Sequence, residues 1–65
     1  MITQPQARIL DLSVNGRLDR SDIIDCYKSK SYSKPEASTN NVVRKLIAHG
    51  AIKRTRIPGL YKLQQ

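Results

Sequence analysis

From Lys34 to Ala48 the chain carries side chains that could offer hydrogen bonds and positive charge to a single partner. Lys34, Ala37, Ser38, Asn41, Lys45 and Ala48 fall on one side of a helix at about 100° per residue, with Asn40 and Arg44 on a flank. Opposite them lie Thr39, Val42, Val43, Leu46 and Ile47, an apolar stripe fit for a core. The outer side has no carboxylate at its centre, whereas a merely solvated helix would mix Glu with Lys for pairing and solubility. Small residues let a helix approach a surface closely. Asn can address adenine through paired bonds, and Arg or Lys can address guanine or phosphate. Two asparagines in mid-helix cost a few tenths of a kcal/mol each in propensity, which a binding role explains. The pattern is that of a helix that reads base edges. Lys53, Arg54 and Arg56 follow it closely and add cations for a phosphate backbone.

The segment around these residues carries its own punctuation. Ser33 and Glu36 stand at capping-box spacing and Pro35 fits a first turn, so a helix is expected over about 34–49, with Gly50 closing it. Upstream, Thr3-Gln4-Pro5-Gln6 repeats the start signal. It predicts a first helix over about 4–13, ending before the Asn15-Gly16 turn pair. Arg17-Leu18 reads as a short link with Leu18 pointing inward. Asp19 to Asp22 offers a cap for a second helix over about 20–29, with Ile23, Ile24 and Tyr27 as its apolar stripe. Beyond Gly50, residues 51–63 read as two strands around Pro58-Gly59, a turn pair suited to type II geometry. The expectation is one α+β domain over residues 1–65, mostly α, with three helices and a two-stranded hairpin.

Charge divides the chain unevenly. Its 65 residues carry a formal charge of +7. Residues 1–27 set Arg8, Arg17 and Arg20 against Asp11, Asp19, Asp22 and Asp25, net −1, whereas residues 28–65 are net +8 with Glu36 the lone acid. A basic half beside a nearly neutral one implies a surface that faces a polyanion, with a separate structural side. The plainer alternative is a small basic protein that binds no nucleic acid.

Other functions find little support. The aspartates lack a second histidine or cysteine to complete a metal shell, and there is no nucleophile–base set or glycine-rich phosphate cradle. No enzyme activity and no cofactor are expected. Cys26 is a lone cysteine, read as inert packing in a reducing cytoplasm. No apolar run approaches the ~20 residues of a membrane span. His49 reads as a last-turn residue favoured by the helix dipole, and Tyr61 as core. Tyr32 has two equal readings, as a sugar–phosphate contact or as packing over the second helix.

The run N-V-V-R-K-L-I-A-H-G-A-I-K-R, Asn41 to Arg54, resembles the passage from recognition helix to wing in winged helix-turn-helix DNA-binding domains. The resemblance covers about Pro5 to Leu63. It implies a third helix in the major groove, with Lys34, Ala37, Ser38, Asn40, Asn41, Arg44 and Lys45 facing DNA. It also implies a hairpin wing whose Lys53, Arg54 and Arg56 lie on the flanking backbone or minor groove. The function implied is a small double-stranded-DNA-binding transcriptional regulator of phage, plasmid or bacterial origin. It would act as a homodimer or cooperative array, because one small helix buries little surface for specificity. Such a protein would work in the cytoplasm, at the nucleoid in a bacterium or in the host cell if viral. The alternative is a winged-helix module that docks on a protein partner as inhibitor or adaptor; a replication-origin role is a third possibility. The stretch I-P-G-L-Y-K-L, Ile57 to Leu63, is also similar to the wing of Zα domains, which bind left-handed DNA, and Asn40 falls where those carry a key asparagine. Their helix tyrosine corresponds here to Arg44, their wing tryptophan to Tyr61 and their second wing proline to Gly59.

Overall fold

A computed structural model describes residues 3–64. Within them the order is α1 (Gln4–Leu10), β1 (Arg17–Asp19), α2 (Arg20–Ser29), α3 (Pro35–Ala48), β2 (Ile52–Arg54) and β3 (Leu60–Leu63). The strands form an antiparallel sheet in the order β1-β3-β2. A sheet of two strands was expected; the third, Arg17–Asp19, is formed by the Arg17-Leu18 link together with Asp19 from the expected cap. Arg17, Leu18 and Asp19 pair with Lys62, Tyr61 and Leu60, while Ile52, Lys53 and Arg54 pair with Leu63, Lys62 and Tyr61. The type of fold is α+β.

Local chemistry explains most of the boundaries. At α1 the Thr3 N–H donates to Gln6 Oε1 at 3.0 Å, so Gln6 reaches back over the first turn as expected. The helix stops at Leu10, short of the predicted Ser13. Val14 instead pairs with Arg17 across Asn15 and Gly16, whose φ values of 53° and 77° suit a type I′ turn. That tight turn turns the chain into β1.

The expected Ser33–Glu36 capping box does not form. Proline disfavours the helical region for the residue before it, so Lys34 takes φ −131° and ψ 71° as the N-cap and Pro35 starts the helix. Ser33 is left one residue outside. The other end closes as the sequence indicates, with Gly50 at φ 76°. Its N–H donates to the Ile47 carbonyl at 3.0 Å and the Ala51 N–H to the Leu46 carbonyl at 2.9 Å, a Schellman motif. α2 ends in the same motif without a glycine. Ser31 takes φ 62°, its N–H donates to Lys28 at 3.0 Å, and the Tyr32 N–H donates to Tyr27 at 3.1 Å. The hydrophobic contact that accompanies this motif is Tyr32 over Tyr27, with ring centroids 4.7 Å apart.

The core joins all these elements. Ile9, Leu18, Ile23, Val42, Val43, Leu46, Ile52 and Tyr61 are buried, with Cys26, Tyr27, Ile47 and Leu63 among the side chains packed against them. Thr39 is fully buried within the apolar stripe of α3, and its hydroxyl donates to the Pro35 carbonyl at 2.7 Å. The stripe therefore packs inward, and the polar side of α3 is left outside.

Candidate nucleic-acid interface

The ten residues selected from the sequence do not form one patch. Lys34 and Ala37 sit at the exposed start of α3, beside Lys28, Ser33 and the carboxylate-bearing Glu36. Ser38, Asn41 and Lys45 border a hollow on one flank, together with Tyr27 and Tyr32. Asn40 and Arg44 lie on the opposite flank, where a narrow cleft runs between α3, the start of α2 and the β2–β3 hairpin. That cleft is lined by Arg20, Asn40, Val43, Arg44, Arg54 and Tyr61. Three arginines and one asparagine line it, and no carboxylate does.

Strand alternation separates the cations of the hairpin. Arg54 shares a cross-strand row with Tyr61 and Leu18, both buried, so it projects on the helix side of the sheet and joins the cleft. Lys53 points the other way. It shares its row with Lys62 and Arg17, and all three are exposed on the outer face of the sheet. Arg56 stands exposed in the hairpin loop. That loop is braced by Thr55, whose hydroxyl donates to the Leu60 carbonyl at 2.8 Å and accepts from the Ile57 N–H at 3.2 Å. Gly59, at φ 81°, supplies the positive dihedral required after Pro58.

Arg20 is the residue that sequence reasoning missed. It opens α2, and its backbone N–H donates to the Gly59 carbonyl at 2.8 Å, tying the helix start to the hairpin turn. Its guanidinium donates to Asn40 Oδ1 across the cleft. One signal was available: a cation at the first position of a helix opposes the dipole, where an acid would be favoured. Tyr32, open between two readings, packs over α2 and remains about half exposed.

No known protein family matches the chain, and no curated protein matches it. Its fold is similar to a solved structure described as "Structure of Prokaryotic Transcription Factors", at a TM-score of 0.67 and 24% identity. The similarity covers 98% of this chain and 56% of that one, so the present chain spans little more than half of that molecule's length. Three helices with a small antiparallel sheet fit a winged-helix-like architecture. Among the described residues no helix is long and apolar enough to cross a membrane.

Proposed function

We propose that this protein binds double-stranded DNA as a transcriptional regulator, with α3 in the major groove and the β2–β3 hairpin as a wing against the backbone. The observation that supports this reading best is the polar side of α3, which carries no acid beyond Glu36 in the first turn, with Arg20 and Arg54 brought beside it. Lys34, Ala37, Ser38 and Asn41 would face the groove, flanked by Asn40, Arg44 and Lys45. Of the hairpin cations, Arg54 and Arg56 would meet phosphates. Lys53 points away from α3 and would contribute mainly through its field. A dimer or array on DNA would supply the buried surface that one such helix lacks.

The deciding experiment is fluorescence-anisotropy binding to a random-sequence duplex at about 50 and 200 mM salt. Each neutralised phosphate lowers log K by about 0.9 per decade of salt, so two contacts already give a fall of roughly tenfold. Asn41→Ala should then weaken sequence preference, while Arg54→Ala should weaken all sequences about equally. No binding at the lower salt would remove this reading. It would favour a protein-docking module instead, for which Ile57, 61% exposed at the hairpin turn, is the anchor to test.

A further inference from the structure

The bond between Arg20 and Asn40 determines what the asparagine can offer a ligand. A guanidinium has donors and no acceptor, so the Asn40 atom it meets must be the amide oxygen. The Asn40 NH2 is then the end left for a ligand. Paired recognition of adenine needs both ends of the amide, one to accept and one to donate. Here one lone pair of the oxygen already serves Arg20, so pairing with adenine would have to share that oxygen with the guanidinium. Around it the cleft is lined by Arg20, Arg44 and Arg54, with Val43 and Tyr61 beside them and no carboxylate in the lining.

We propose that this cleft is a phosphate-binding pocket, with Asn40 a phosphate ligand held in place by Arg20 and not a reader of bases. The three arginines of the lining and the Asn40 NH2 can offer hydrogen, which suits an oxyanion with acceptors on all sides. Arg20 is itself anchored by its N–H bond to Gly59, so the pocket draws together α2, α3 and the hairpin before any ligand arrives. The phosphate can be a backbone diester or a terminal 5′-phosphate. The assignment to DNA phosphate rests on the DNA-binding reading above, whereas the pocket itself does not.

The test follows the arginine Nε–Hε signals of the whole protein by NMR as inorganic phosphate is added. Saturable, concerted shifts at Arg20, Arg44 and Arg54 are expected, with Arg17 and Arg56 as controls. Equal shifts at the controls, or none at the three, would overturn the pocket. Asn40→Asp retains an acceptor for Arg20 but places a carboxylate in the cleft, and should abolish the response in a protein whose circular dichroism is unchanged. On duplex DNA, Asn40→Ala should lower affinity by about fivefold on every sequence, the worth of one hydrogen bond. A change of preference at a single base pair would instead make Asn40 a reader and sink the proposal. Duplexes with and without 5′-phosphates separate the two sources. Equal affinity identifies the diester, and tighter binding of the phosphorylated duplex identifies the terminus. A protein that binds no duplex yet still takes up phosphate at the three arginines loses the DNA reading and retains the pocket. Duplex binding with silent arginines does the reverse.

Discussion

The cleft and the outer face of the sheet carry similar charge with different geometry. Arg20, Arg44 and Arg54 converge from α2, α3 and β2 on one hollow, with Asn40 among them. Arg17, Lys62 and Lys53 stand in one cross-strand row on three neighbouring strands and project into solvent. Adjacent strands are about 4.8 Å apart, so the row is a set of like charges that water and salt screen. Three convergent donors can share one ligand atom group; three parallel ones meet at most a surface. Net charge cannot distinguish the two arrangements. Side-chain direction can, and in a strand it changes with every residue.

The strongest way to break this comparison is to remove the element that holds both surfaces in register. Leu18 is fully buried on β1, between the exposed Arg17 and the start of α2. Leu18→Ala should cost about 2–5 kcal/mol and lower the thermal midpoint by roughly 10 °C or more, abolishing both surfaces together. Calorimetry reads this directly, and a midpoint within a few degrees of wild type would show that β1 is dispensable.

A sharper experiment removes equal charge from each side. Arg44→Ala with Arg54→Ala should weaken DNA binding by about tenfold or more, whereas Arg17→Ala with Lys62→Ala should cost less than about threefold. Both pairs lower the net charge by two. Matching losses in anisotropy titrations would mean that charge alone drives association and that the cleft has no special place.

Smaller effects separate stability from binding. Ser31 holds a left-handed conformation that costs an L-residue about 1 kcal/mol, so Ser31→Gly should stabilise the fold by up to that amount, read from urea unfolding. It alters no charge, so DNA affinity should stay within twofold. The smallest effect concerns Tyr27, whose pKa is raised above the ordinary 10.0 by burial, with Tyr32 and Cys26 adding to the shift. Its neutral form is favoured in the fold. The stability it contributes is therefore present below pH 10 and is lost as the pH climbs through the raised folded-state value. Absorbance at the phenolate band should show a late-titrating component that Tyr27→Phe diminishes.

The sequence was most readable where signals are local. α3 is written in Pro35, Gly50 and a clear apolar stripe, and the hairpin in Pro58-Gly59 between two short apolar runs. β1 was unreadable because Arg17-Leu18-Asp19 holds a single inward residue, too few to show alternation. It becomes a strand through β3, far along the chain. The capping of α3 was misread because the constraint that proline puts on Lys34 outweighs the hydroxyl of Ser33. At the candidate site, Asn40 and Arg44 were visible from helical spacing. Arg20 was not, because its partner lies twenty residues away and its position resembles part of a cap. The opposed directions of Lys53 and Arg54 needed only strand alternation, but their common charge hid it.

The order of strands also bears on how this molecule comes into being. The middle strand of the sheet, β3, is the last of the three to be synthesised. While residues 60–63 are still missing, β1 and β2 have no strand beside them, and the hollow beneath them lacks Tyr61. The nascent chain can form helices but no sheet. Maturation should therefore be abrupt, with the cleft assembling in a single late event and not growing in from the N-terminus.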